Sequence, residues 1–510
     1  MTATLRPTRT EGALTLGQIA QTLGLQIWTQ QAAGDTDPII TGITHDSRAI
    51  QPGDLFAALP GDHTHGAKFI DQAVEKGAVA VLTDPGPVGY ADRTGVDYFH
   101  GMPVLIAEDP RAVLGAASAA IYGDPATDLT VIGITGTNGK TTTAALLSAG
   151  LAAAGHTVGV IGTTGVRIGD EMLPSARTTP EAPDLHALLA VMRERGVSAV
   201  TMEVSSHALV LGRVDGLVFD IAIFTQLSQD HLDFHGTMED YFAAKASLFT
   251  AERARRAVIG IDSMWGRRLA DTCQIPVTTY ALRQDAQVTC QEVIEEMGSQ
   301  TLLVDDGSDE THRVAIGLPG EFNAANGLAA WATLRLLDVP FATADVGMAD
   351  VHVPGRMEVV DAGQPFVVLV DYAHTPDAVE RVLTAVNPAD GGRRIAVLGC
   401  GGDRDRDKRP HMGGVAALRS DVLIVTDDNP RTEDPAEIRA AMIAGTEGLD
   451  ADIREIGDRR SAIAAAIAEA RPGDVVLILG KGHEPGQEIA GVVHPFSDRE
   501  AARTALGATA

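Results

Sequence analysis

Residues 135–142 read Thr-Gly-Thr-Asn-Gly-Lys-Thr-Thr, between an apolar run (Leu129 to Ile134) and a helix-forming stretch from Thr141 to Ala154 that ends at Gly155. A strand, a glycine-rich loop and a helix in that order expose backbone N–H groups at a helix N-terminus, which is an anion site. Gly136, Thr137, Asn138 and Gly139 would cradle nucleotide phosphates. Lys140 would reach the terminal phosphates and the Thr141 hydroxyl would ligate Mg²⁺, with Thr142 beside it. The strict phosphate-loop pattern is missed by one place, because Ile134 stands where its first glycine belongs and the nearest upstream glycine is Gly133. The bland alternative is a plain Gly-rich turn.

Other chemistry-bearing residues follow. Glu203 closes an apolar run just before Val204-Ser205-Ser206-His207; a carboxylate there can hold Mg²⁺ near the phosphate loop, or be an exposed strand end. In Asp230-His231-Leu232-Asp233-Phe234-His235, His231 is the candidate for a second Mg²⁺ ligand, against solvated loop histidines. Lys245 shares a helical face with Met238, Tyr241, Phe242, Leu248 and Phe249. Such a lysine usually snorkels to water. Buried instead, its pKa falls, and the neutral amine can take up CO₂ as a carbamate able to bind Mg²⁺. Asn323 and Asn326 lie at i and i+3, so one can meet an adenine while Asn323 caps its helix instead. Arg356 would bridge to phosphate across a cleft, or be a surface arginine.

The elements that must position these groups are those of an α/β protein. The 510-residue chain is too long for one core, and about three domains are expected. In the first part, 54–59 and 78–82 read as strands with a helix from Phe69 to Lys76 between them, and an Ala-rich connector follows Asp109-Pro110. Further apolar runs at 199–202, 219–224 and 257–261, separated by helical stretches, predict a mostly parallel sheet. Four more recur at 366–370, 394–398, 422–425 and 475–479. Each runs into a polar loop: Asp371-Tyr372-Ala373-His374, Gly401-Gly402-Asp403-Arg404-Asp405, Asp428-Asn429-Pro430-Arg431 and Gly480-Lys481-Gly482-His483-Glu484. Ligands of open α/β sheets bind at the carboxyl ends of strands, so these loops form a substrate-facing rim.

A net charge of −28 disfavours general binding to nucleic acid or anionic membranes. Three separated cysteines indicate neither a disulfide framework nor a zinc site. No signal segment and no membrane span is expected, so the cytoplasm is the default compartment and a monomer the expected state.

Together these residues resemble the Mur ligases, the ATP-dependent amino-acid-adding enzymes of peptidoglycan synthesis. The resemblance rests on residues 135–142, Glu203 to His207, Asn323 with Asn326, Gly355-Arg356 and Asp371 to His374, and spans nearly the whole chain. The family's loop lacks the same first glycine. The resemblance implies a small N-terminal α/β domain for a UDP-sugar (1–109), a central ATP-binding domain with a phosphate-loop parallel sheet (110–350), and a Rossmann-like amino-acid-binding domain (351–510). It implies ATP as co-substrate, contacted by residues 136–142, Asn323, Arg356, Asp371 and His374. Catalysis would fall to Lys140, Glu203, His231 and Lys245, with Mg²⁺ held by Thr141, Glu203, His231 and the Lys245 carbamate.

Asp46-Ser47-Arg48, Gly53-Asp54-Leu55-Phe56 and Ala176-Arg177-Thr178-Thr179-Pro180 match the branch that adds the third amino acid. UDP-MurNAc-L-Ala-D-Glu would then meet His45, Ser47, Asp62, His63, Thr64, Thr178, Thr179, Ser205 and Arg213. Some relatives carry Gln where Leu211 stands, so Leu211 is left out. The amino acid would meet Arg404, Asp428, Asn429, Pro430, Arg431, Gly480 and Glu484, a set resembling the meso-diaminopimelate version. Arg431 and Arg404 would grip the second carboxylate and Glu484 the ammonium, and lysine would leave an arginine unpaired. The alternatives are a lysine-adding or folylpolyglutamate-type ligase, a P-loop ATPase without ligase chemistry, and a catalytically dead nucleotide-sugar-binding regulator.

Overall fold

The computed structural model describes residues 5–8, 13–29, 37–61, 63–175, 177–296, 299–389 and 391–507. Asp62, expected to meet the nucleotide sugar, lies outside them, as does Ala176. Three sheets follow one another along the chain. The first has five strands in the order Gln26–Trp28, Val104–Ile106, Ala80–Thr83, Asp54–Ala57, Gly42–Thr44, all parallel except the first pair. The helix Pro110–Ile121, expected as a connector, packs Leu114, Ala117 and Ile121 into the core of this sheet. Its start is set by Pro110 at the first turn and by Asp109, whose side chain accepts from Arg111 N at 2.9 Å and Ala112 N at 3.2 Å.

The central sheet has 11 strands. At its middle, Thr130–Thr135 lies between Phe219–Phe224 and Ala199–Glu203, both parallel to it. β-Branched Val131, Ile132 and Ile134 are buried, which suits a strand covered on both faces. Parallel pairing continues from Val158–Gly162 at one side to Val288–Glu296 at the other. Beyond them the sheet turns antiparallel through Ser299–Asp305 and His312–Ile316, an extension that the apolar runs did not disclose. The helices Glu321–Leu336 and Phe341–Ala349 join the core beneath the helix Lys140–Ala153, burying Trp331 and Met348 against Leu147 and Leu151.

The last sheet has six strands, in the order Glu358–Val359, Val367–Asp371, Val475–Leu479, Arg394–Leu398, Val422–Val425, Asp452–Glu455, all parallel except the first pair. The four strands read from sequence are these inner ones, and the loops expected at their carboxyl ends lie together. A hairpin of Gly486–Ile489 and Val492–Pro495 follows the last loop. Among the described residues no helix is long and apolar enough to cross a membrane.

Candidate active site

The phosphate loop is shaped by two glycines. Gly136 has φ +147°, and a Cβ there would lie 1.9 Å from Thr225 Oγ1; Gly139 has φ +89°, and its Cβ would lie 2.3 Å from Asn326 Oδ1. Neither position tolerates a side chain. The helix begins at Lys140 with no side-chain cap, so its first N–H groups are left for another acceptor. Thr225 Oγ1 donates to Asn138 O (2.6 Å), and Thr137 N donates to Gln226 O (2.8 Å), which pins the loop to the end of a neighbouring strand.

Two lysines converge on one carbonyl. Lys140 Nζ and Lys245 Nζ each donate to Gly136 O at 2.9 Å. Lys245 is 1 % exposed on the helix Met238–Ala246, so it does not snorkel. Burial, and then the charge of Lys140, drive its pKa well below the usual lysine value, with Asp230 opposing. Burial also lowers Lys140, against the pull of Glu203 and Asp230. Tyr241 sits between these groups: Lys245 Nζ is 4.7 Å from its ring centre, and its hydroxyl lies 3.2 Å from Thr137 Oγ1.

Glu203 is no exposed strand end. It is buried, and its carboxylate accepts from Thr163 N and Thr163 Oγ1, both at 2.9 Å. His231 follows with φ +53°, its Nε2 3.4 Å from Asp230 Oδ2. The imidazole keeps 40 % of its side-chain surface, and the burial that it has lowers its pKa against the pull of Asp230. The C-terminal sheet reaches across to the loop. Arg356 Nη2 donates to Thr141 Oγ1 (3.2 Å) while its guanidinium lies 4.3 Å from the Tyr372 ring centre, and Asn138 Nδ2 donates to Asp377 Oδ2 (3.3 Å). Arg356 is thus not a free surface arginine. Asp371 is buried and accepts from Met357 N and Ala373 N; burial raises its pKa, with Arg356 opposing. His374 Nδ1 lies 2.8 Å from Tyr372 O, and burial followed by Lys408 lowers its pKa.

One cleft of about 990 Å³ joins these parts. Its walls include residues 137–142, Thr178, Glu203, Ser205, His231, Arg356, Asp371, His374, Arg404, Asp428, Asn429, Arg431, Gly480 and Glu484. Asn326 lines it and Asn323 does not: Asn323 is buried, its amide donating to Pro319 O (2.7 Å) and its Oδ1 accepting from Asn326 (3.2 Å). Pro430 is likewise buried behind its neighbours.

The residues expected at the nucleotide sugar divide. Thr178 and Ser205 line the cleft. Thr179 is buried beneath them, its hydroxyl donating to Glu203 O at 2.8 Å. Arg213 pairs with buried Glu181 at 2.8 Å, and Glu181 also attracts Arg111 (3.5 Å) and Arg177 (3.8 Å). His45 stands within the field of Glu181; burial lowers its pKa. Ser47 donates to Gln72 Oε1 (2.6 Å), and His63 and Thr64 are exposed. In the Glu181 cluster only Arg177 is a local, i,i+4 neighbour; Arg111 and Arg213 come from separate stretches.

At the far end of the cleft, Arg431 has φ +52°. Its Nη1 donates to Gly402 O (2.6 Å) and its Nε lies 3.3 Å from Glu488 Oε2. This corrects the expectation of an arginine left unpaired by lysine: Glu488, from the unforeseen hairpin, is a resident partner. Arg404 is exposed at the rim. Glu484 Oε2 accepts from Asn429 Nδ2 (2.8 Å) and from Lys481 Nζ (2.9 Å).

The donors near the phosphate loop suit a hard cation in kind. A hydroxyl (Thr141) and a buried carboxylate (Glu203) offer oxygen donors, and the His231 imidazole faces the same cleft. Among the described residues no group of three or more His, Cys, Asp or Glu side chains is placed to hold a metal ion. Lys245 has the buried, charge-disfavoured amine that carbamate formation requires.

Family models match three stretches: Mur ligase family, catalytic domain, at residues 39–120; Mur ligase middle domain at 134–334; and Mur ligase, glutamate ligase domain, at 355–482. The UDP-N-acetylmuramoyl-L-alanyl-D-glutamate–2,6-diaminopimelate ligase of Streptomyces coelicolor is 52% identical over 99% of this chain and 98% of its own. The protein of the same name from Corynebacterium glutamicum is 48% identical over 92% of each. A solved structure of a ligase so named aligns with TM-score 0.66 and 31% identity, covering 97% of this chain and 99% of its own.

Proposed function

The chain belongs to the Mur ligase family, and from that premise we propose that it adds meso-diaminopimelate to the D-Glu γ-carboxylate of UDP-MurNAc-L-Ala-D-Glu, with ATP converted to ADP and phosphate. The observation that carries the reading is the single cleft in which the phosphate loop faces the loops of the C-terminal sheet. The printed names of the relatives support diaminopimelate as the amino acid.

In the proposed reaction the γ-carboxylate attacks the terminal phosphorus of ATP, ADP leaves, and an acyl phosphate forms. The amine of diaminopimelate attacks the acyl carbon, and the tetrahedral intermediate collapses to amide and phosphate. The loop N–H groups and Lys140 hold the phosphates, Arg356 approaches them from the opposite wall, and Asn326, Asp371 and His374 border the nucleotide. Asn323 acts behind Asn326 rather than on the nucleotide. Thr178, Ser205 and the Glu181–Arg213 region take the sugar-peptide. Mg²⁺ would be held by Thr141, Glu203, His231 and Lys245 as its carbamate, and would supply charge neutralisation at the transferring phosphoryl group. Lys245 contributes a buried amine whose surroundings disfavour the charged form, and the neutral form is the one that reacts with CO₂.

Arg431, Arg404 and Glu484 would bind the zwitterionic end of diaminopimelate. L-Lysine is the second reading, because Glu488 already partners Arg431 and softens the penalty against a substrate lacking the second carboxylate. One chain carries every proposed contact, so the monomer is the proposed active unit, acting in the cytoplasm. Initial rates of ADP release with diaminopimelate and with lysine test the assignment. The expected result is a diaminopimelate preference of at least about tenfold, the order of a desolvated charge-assisted pair; equal rates, or none with either, would reject it.

A further inference from the structure

Lys481 has no accessible surface, yet it carries the polar network behind the amino-acid end of the cleft. Its Nζ donates to Asn429 Oδ1 and to Glu484 Oε2, each at 2.9 Å, and lies 3.9 Å from Asp428 Oδ1. Those three partners line the cleft; Lys481 does not. Asn429 is further fixed, donating to Glu484 Oε2 (2.8 Å) and accepting from Glu488 N (2.9 Å). Two loops from different strand ends thus share one buried cation. The Glu484 side chain keeps 31 % of its surface, so one side of its carboxylate faces the cleft.

We infer that Lys481 is a positioning residue for amino-acid recognition: it aims the Glu484 carboxylate at the distal ammonium of the substrate without touching the substrate. The inference rests on the proposed ligase reading. A buried ammonium of fixed reach sets where Glu484 points and holds its side chain in one rotamer before the substrate arrives. Without it, Glu484 and Asp428 repel one another and Glu484 turns to solvent. The loss falls chiefly on the ammonium contact, because Arg431, which meets the second carboxylate, is held directly by Gly402 O and Glu488 and is linked to Lys481 only through Asn429.

The test is steady-state ADP release by the full chain, wild type and Lys481→Met, with diaminopimelate and with 2-aminopimelate, which keeps both carboxylates but lacks the distal amine. The expected result is a rise of at least about tenfold in KM for diaminopimelate, the order of one charge-assisted hydrogen bond. KM for ATP and for the nucleotide sugar, whose sites share no partner with Lys481, should stay within about twofold, and KM for 2-aminopimelate should rise by clearly less than that for diaminopimelate. A merely structural role would move all four constants together and would overturn the inference, as would an unchanged KM for diaminopimelate. If Lys481→Met does not fold, Lys481→Gln, which keeps a donor but not the charge, is read against the same outcomes. Absence of amino-acid-dependent ADP release by the wild type would reject the ligase reading itself, a result distinct from an active wild type with an indifferent Lys481 variant.

Discussion

Replacing Lys245 by Met should make the protein more stable and inactive. Lys245 is 1 % exposed, and its one hydrogen bond is to Gly136 O, which also accepts from Lys140. Removing that bond leaves the carbonyl partnered, a loss of about 0.5–1.5 kcal/mol. Against it stands the desolvation of an ionisable group beside a second cation, a cost of several kcal/mol that Met, of similar volume, does not incur. The net expectation is stabilisation by about 1–3 kcal/mol, a rise of roughly 2–12 °C in the melting midpoint of the central part of the chain.

The pH dependence fixes the sign. The folded state lowers the Lys245 pKa below 10.5, so below that value the unfolded chain binds more protons than the folded one. Wild-type stability therefore rises relative to Lys245→Met as pH climbs toward 10.5, and the gap between the two narrows. Removing Lys245 also relieves Lys140 of a neighbouring cation, so the difference between the two proteins reports the coupled pair. Melting curves in carbonate-free buffer at several pH values, with ADP release measured alongside, provide the assay. A variant destabilised by more than about 1 kcal/mol would refute the reasoning, because it would mean that a charged amine is held favourably by the Tyr241 ring and the Gly136 carbonyl.

Three further outcomes are expected. Arg459 and Asp498 form an ion pair with no exposed side-chain surface, and Arg459 also donates to Leu479 O before the Gly480 loop; Asp498→Asn should cost about 3–5 kcal/mol in urea titrations. Gly139→Ala places a Cβ against Asn326 at φ +89°, and nucleotide affinity measured by titration calorimetry should fall at least about tenfold. Asn326→Ala added to it should not restore binding, because the backbone strain remains. Arg431→Ala should reduce kcat/KM for diaminopimelate by at least about tenfold and leave that for lysine within about threefold; retained full use of diaminopimelate would reject its proposed role.

The inner parallel strands were legible because each is a short unbroken run of β-branched and aliphatic residues buried on both faces, whereas the antiparallel Ser299–Asp305 alternates and left no such run. The phosphate loop was legible because its glycines are required by positive φ and close approach. Lys245 was ambiguous by its pattern, since a lysine on an apolar face snorkels or is buried depending on what lies above it, here the Gly136 loop more than 100 residues earlier. Asn323 and Asn326 share a helix face, but only packing against Gly139 decides which reaches the cleft. The hairpin bringing Glu488 to Arg431, and the approach of Arg111 and Arg213 to Glu181, are assembled by tertiary contacts between distant segments, for which no local spacing exists. Lys481 sat inside a recognised motif, yet its burial, and hence its bearing on Glu484 rather than on a ligand, is a property of two loops packed together.

The central claim is that one cleft couples ATP consumption to amide formation. Its most direct test is to incubate purified protein with ATP, Mg²⁺, UDP-MurNAc-L-Ala-D-Glu and diaminopimelate, then quantify ADP and the nucleotide-linked product by mass spectrometry. The expected result is one ADP for each amide bond formed, with no ADP accumulating beyond about one per enzyme molecule when diaminopimelate is omitted. ADP release that continues beyond that without the amino acid, or without a product heavier by one diaminopimelate residue, would contradict it.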